Sequence, residues 1–202
     1  MVLRAILKDL TGGDDSLAEA AVQSLARLPA GDQLAALETL QGHLASSEVD
    51  RRWWAARTLA ELSLPQVLDG LLPALADTDP SVRQCAALGI RLQVMRHTPS
   101  IVSEPLLEAL LDRLQDPDPL AARLATHALV AVGASAVPPL LELLDGQDHA
   151  VRLLVVRTLA EIADPRAIPA LLAALDGDSL LMEYWANEGL EKMGLGMAYF
   201  LP

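Results

Sequence analysis

The chain has 202 residues, a net charge of −12 and an isoelectric point near 4.6. Leu (42) and Ala (33) make over a third of it and only six residues are aromatic, a balance that favours helix over sheet. Two lysines and one cysteine, Cys85, leave no obvious polyanion-binding surface, no internal disulfide and no cysteine-based metal cluster.

The predicted elements follow a repeat. The start, MVLRAILKDL, has too short an apolar run and too early an acidic residue for a signal peptide. Val2 to Leu10 instead matches the second helix of a two-helix unit. From there a polar residue opens each unit: Asp14, Glu48, Asp79, Asp118, Asp148 and Ser179, spaced by 34, 31, 39, 30 and 31 residues. The 39-residue unit carries an insertion near Met95 to Pro105. The first helix of each unit has one apolar or small stripe, such as Val82, Cys85, Ala86, Gly89 and Ile90, or Val151, Leu154, Val155, Thr158 and Leu159. The second helix has a Leu-Leu pair: Leu71-Leu72, Leu110-Leu111, Leu140-Leu141 and Leu171-Leu172. Pro138, Pro139 and Pro169 sit at its start, where a missing N–H costs little. Asp-rich turns then stop one unit and cap the next.

This gives an all-α expectation: an α-solenoid, a right-handed superhelix of stacked antiparallel helix pairs. One domain spans 1–202, with a half-repeat at 1–13, repeats at 14–47, 48–78, 79–117, 118–147 and 148–178, and a partial repeat at 179–202. The uncharged stretch Leu124 to Leu141 reads as two helices and their turn, because Gly133 and the Pro138-Pro139 pair interrupt it.

The phrases Asp79-Pro-Ser-Val-Arg83, Asp148-His-Ala-Val-Arg152 and Asp164-Pro-Arg-Ala-Ile-Pro169 resemble HEAT repeats, and more narrowly the short HEAT-like repeats named after phycobilisome lyase subunits. The resemblance covers Asp14 to Met193. It implies scaffolds, adaptors, bilin lyase subunits, a di-iron hydroxylase or a DNA glycosylase branch. The hydroxylase branch needs His-Glu pairs, but His43, His97, His127 and His149 are followed by Leu, Thr, Ala and Ala. The glycosylase branch needs a basic, aromatic concave face, and this chain is acidic. In this repeat class the Arg of the Val-Arg slot (Arg52, Arg83, Arg152) pairs with an Asp of a neighbouring turn.

Other motifs have structural readings. The Asp turns lack the ligand offsets and closing Glu of a calcium loop. Gly12-Gly13-Asp14-Asp15 lacks the Lys-Ser/Thr of a phosphate loop. Cys85 falls in a core slot equivalent to Trp54 and Trp185. No catalytic, cofactor-binding or metal-ligating residue is assigned.

The resemblance implies that second helices line the concave face and bind partners. Aligning the Leu-Leu pairs puts Glu38, Asp69, Glu108 and Asp112 in its outward slots toward the N-terminal half. Leu143, Ala170, Ala173 and Ala174 fill the C-terminal half. The expectation is a groove for a peptide or protein that is basic at one end and apolar at the other. Tyr184, Tyr199 and Phe200 form either an end cap or an end contact. The expected function is a cytoplasmic, non-catalytic protein-binding scaffold or adaptor, with no nucleic-acid or membrane partner and no cofactor. The alternative is a subunit of a bilin-lyase-like enzyme acting on a chromophore-carrying protein. The sequence leaves the oligomeric state open.

Overall fold

A computed structural model describes residues 2–97, 101–144, 148–176 and 179–195. These residues hold helices and turns and no strand. Packing separates two units, Met1–Ile101 and Val102–Pro202.

In the first unit α1 (Val2–Asp9), α3 (Ala30–Leu44) and α5 (Leu68–Ala74) are second helices. The first helices are α2 (Asp15–Ala26), α4 (Val49–Glu61) and α6 (Pro80–His97). The first helices stack in order, α2 on α4 and α4 on α6, while α1 meets both α2 and α3. The second unit repeats the scheme. Its second helices are α7 (Glu104–Asp112), α9 (Val137–Leu143) and α11 (Ile168–Leu175). Its first helices are α8 (Pro119–Val132), α10 (His149–Ile162) and α12 (Leu180–Lys192), with α8 packed on α10 and α10 on α12.

The helix starts lie where the sequence puts them. Asp14 accepts from the Ser16 and Leu17 amides at 2.9 and 3.1 Å. Asp118 accepts from Ala121 N–H at 2.7 Å and Asp148 from Val151 N–H at 2.9 Å. Each cap satisfies amides that the helix itself leaves open. Glu48 makes no such bond through its side chain.

The stripes face inward. Val82, Cys85, Ala86, Gly89 and Ile90 are all buried, as are Val151, Val155, Thr158 and Leu159, whereas Leu154 of the second stripe is half-buried. Close approach needs the small residues. A Cβ on Gly89 would stand 2.9 Å from the Ala60 Cβ and 3.1 Å from Leu71 Cδ1. Trp54 and Trp185 differ from Cys85 and are only half-buried. Their rings outgrow the slot and find partners at its edge: Trp53 packs edge-on against Trp54 at 4.8 Å. Arg157 lies 4.7 Å over the Trp185 ring, in cation–π range.

The repeated phrase Arg-Thr-Leu-Ala-Glu has one physical job in both units. Arg57 reaches Glu61 at 2.6 Å and Arg157 reaches Glu161 at 2.7 Å, one turn along the same helix. Thr58 and Thr158 return their buried hydroxyls to the Trp54 and Leu154 carbonyls, at 2.7 and 2.6 Å. Leu59 and Leu159 are fully buried, and Ala60 and Ala160 receive the next helix.

The apolar run Pro119–Leu143 is long and apolar enough, by composition, for a membrane span. It is not one straight helix. The backbone turns at Gly133, with φ 73° and ψ −137°, a conformation open to glycine and costly for residues with a Cβ.

Candidate protein-binding grooves

Among the described residues the second helices line open grooves in each unit. In the first unit α3 and α5 form one of about 690 Å³. Its lining includes Asp69, Gly70, Pro73 and Asp77. Asp77 is not free there. Arg52 donates to it from Nε at 2.7 Å and from Nη2 at 2.9 Å, and also to the Ser46 and Ser47 carbonyls. Burial alone would raise the Asp77 pKa; the Arg52 hydrogen bonds and the Asp79 amide outweigh it and hold the carboxyl below the usual range. The Arg–Asp tie between turns that the repeat class implies is present at Arg52. Arg83 continues the turn network, donating to the Asp77 and Thr78 carbonyls at 2.9 and 3.2 Å. Asp69 is thus the exposed carboxylate of this groove.

A groove of about 580 Å³ lies between α1 and α3, lined by Arg4, Lys8, Thr39 and His43 around Leu3 and Leu7. Burial and nearby Arg51 lower the His43 pKa and so favour the neutral ring. The alignment of Leu-Leu pairs missed Arg4 and Lys8. The signal was present: with Ile6-Leu7 as the pair, these two occupy the outward slots that Asp69 and Pro73 hold in α5.

In the second unit α7 and α9 form a groove of about 510 Å³. Leu107, Leu111, Pro139 and Leu143 give it an apolar floor, and Glu104, Glu108 and Glu142 stand along it. The sequence placed Glu108 and Leu143 in different halves; their helices are neighbours, so one groove holds both. A further groove of about 340 Å³ is lined by Ala170, Ala173, Ala174 and Leu141, with Arg152 and Met182. Glu38 and Asp112 are exposed on α3 and α7 and line none of these four grooves.

Tyr184 is 53% exposed and sits beside exposed Leu180 and Leu181 on α12. Its ring meets Trp185 edge-on at 5.2 Å. Tyr199 and Phe200 lie outside the described residues.

Cys85 is buried, and burial pushes its thiol up to about 12, with Arg57 acting in the opposite direction. Among the described residues no group of three or more His, Cys, Asp or Glu could hold a metal ion.

A family model described as HEAT repeats matches residues 2–91 and 107–191. The chain belongs to the HEAT-repeat family. Within it, a relative of this HEAT protein is the phycocyanobilin lyase subunit beta of Pseudanabaena tenuis, 32% identical over 111 residues. That match covers 55% of this chain and 37% of the relative, so the chain spans well under two thirds of the relative's length. Solved structures give the same fold. A designed armadillo repeat protein in complex with the peptide (KR)4 is similar over 95% of this chain and 99% of its own, with TM-score 0.56 and 18% identity. The complex of CpcE and CpcF of phycocyanin lyase from Nostoc sp. PCC7120 contains a chain similar over 96% of this one and 77% of its own. Its TM-score is 0.51 and its identity 21%. The fold is all-α, of the helical-repeat solenoid class, and the repeats are of the bilin lyase type.

Proposed function

We propose that this HEAT protein is a non-catalytic protein-binding subunit that holds a partner segment against its second helices. One observation carries the reading: the α7–α9 groove sets Glu104, Glu108 and Glu142 along the apolar floor of Leu107, Leu111 and Leu143. Carboxylates beside leucines complement a segment that alternates Arg or Lys with apolar side chains. Ala170, Ala173 and Ala174 extend the apolar surface within the same unit, and Asp69 offers a carboxylate in the first unit. The acidic chain disfavours nucleic acid and anionic membrane as partners, and a cytoplasmic setting fits its single thiol.

The test is anisotropy of a fluorescein-labelled helical peptide with alternating Arg and Leu, titrated with the full chain. Glu104→Arg with Glu108→Arg is expected to weaken binding by about tenfold or more. Ala170→Glu with Ala174→Glu tests the neighbouring surface. Unchanged affinity in both double variants sinks the groove reading.

A second reading is favoured by the match to a bilin lyase subunit: the chain acts with a second chain on a chromophore-carrying protein. It predicts a visible absorbance shift when a bilin, or a bilin-carrying protein, is added to the chain with its partner. No shift with several bilins counts against it.

A further inference from the structure

The α1–α3 groove differs in sign from the surface around it. Arg4 and Lys8 project from one face of α1, four residues apart, and both are exposed. Like charges at that spacing repel along a helix. Among the described residues no carboxylate comes within ion-pair distance of either, whereas Arg52, Arg57, Arg96, Arg113, Arg157 and Arg166 each meet one. No acidic residue lines the groove among the described residues. In a chain of net charge −12, these two cations share a pocket and lack an internal partner.

The groove also has an apolar row. Leu3 and Leu7 are half-buried, lie four residues apart and run beside the cations. The far wall offers the Thr39 hydroxyl and His43. Two parallel rows along a helix axis, one cationic and one apolar, match a second helix with carboxylates at i and i+4 beside a leucine row. A polyanion is a poor match, since two cations release few counterions and the rest of the chain repels it. An inorganic anion leaves the leucines unused.

We infer that the α1–α3 groove docks an acidic amphipathic helix of a partner protein, with Arg4 and Lys8 pairing its carboxylates and Leu3 and Leu7 packing its apolar row. This site is separate from the α7–α9 groove and takes a partner segment of opposite charge.

The probe is a fluorescein-labelled alanine-based helix bearing Glu-x-x-x-Glu pairs beside a leucine row, titrated with the full chain at low salt. Saturable binding is expected. Arg4→Glu with Lys8→Glu should weaken it by about tenfold or more. Arg4→Gln with Lys8→Gln removes the charge while keeping good helix formers, so a loss shared by both variants, with unchanged circular dichroism, is electrostatic. Absence of saturable binding, or α1 variants that bind as tightly as the unsubstituted chain, overturns the inference. Sedimentation of the chain alone is the second arm. Self-association abolished by the α1 reversal assigns the groove to a second copy and likewise overturns it. The arginine–leucine probe reads the α7–α9 groove, so failure of either site is distinguishable from failure of the other.

Discussion

A Cβ placed on Gly189 of α12 would stand 2.7 Å from the Cα of Ala160 in α10. It would also meet the Ala160 Cβ at 2.8 Å and Leu171 Cδ1 at 2.9 Å. The backbone of α10 cannot yield cheaply, so the two helices touch only because both residues are small. Gly189→Ala should therefore destabilise the protein, by about 1–3 kcal/mol as in overpacked cores, against the usual helix-propensity gain. Gly42→Ala, in the last turn of α3 with open space around it, is the control and should stabilise by up to about 1 kcal/mol. Thermal melts of the two variants check the sign of each.

The Arg52–Asp77 pair ties the start of α4 to the turn before α6. Both side chains are about 90% buried, and Arg52 has four acceptors. Arg52→Ala leaves Asp77 with the Asp79 amide but without its buried cation, and removes the Arg52 donor from two carbonyls. A loss on the order of 3 kcal/mol is expected, read as a shift in urea midpoint with unchanged slope. Arg152→Ala, at an exposed position of the corresponding slot in α10, should cost far less.

Acid should act through the same turn. The Asp77 carboxyl titrates below its unfolded value despite burial, because Arg52 and the Asp79 amide favour its charged form. Asp79 is likewise lowered, chiefly by Ser81, and Asp164 is held at about 2 by Arg166. A depressed folded pKa gives stability that is present above the unfolded value near 3.8 and fades as pH falls through the folded value. Melting temperature should drop between about pH 4 and pH 2, and Asp77→Asn should flatten that slope while lowering stability at pH 7. An unchanged slope in Asp77→Asn would contradict this assignment.

Cys85 should be inert. With its thiol near 12 and its side chain buried, almost none is thiolate at pH 8. Modification by a soluble disulfide reagent should be slow in the folded protein and complete within minutes in denaturant. Fast labelling of the folded chain would show that α6 opens locally.

Ala163 closes α10 with φ 54°, a left-handed conformation that glycine adopts without a Cβ penalty. Ala163→Gly should be neutral or stabilising by a few tenths of a kcal/mol, the relief of strain opposed by a more flexible unfolded chain. A clear loss of melting temperature would argue against strain at this residue.

The helices were legible in the sequence because their signals are local. Asp14, Asp118 and Asp148 cap the helices they precede, and the stripe from Val82 to Ile90 is buried throughout. The groove charges were less legible. The Asp turns read as helix caps, and the resemblance implied an Arg–Asp tie, but only the fold shows that Arg52 reaches Asp77 from 25 positions away. Arg4 and Lys8 stand in the outward slots, but α1 lacks the Leu-Leu pair that marks those slots elsewhere. Glu108 and Leu143 belong to different repeats, and only the packing of α7 beside α9 makes them one surface. The size of the Trp54 and Trp185 rings, which keeps them at the rim of a slot that Cys85 fills, is likewise a matter of tertiary fit.

The turn at Gly133 has a consequence for how the chain is read on its way to folding. Continued as one rod, Pro119–Leu143 would reach about 37 Å, more than the ~30 Å of a bilayer's hydrocarbon layer. Folded back, it becomes rods of 14 and 7 residues, about 21 and 10 Å long. Neither reaches across. One residue without a side chain thus divides the most apolar segment of this protein into two helices, each shorter than that layer.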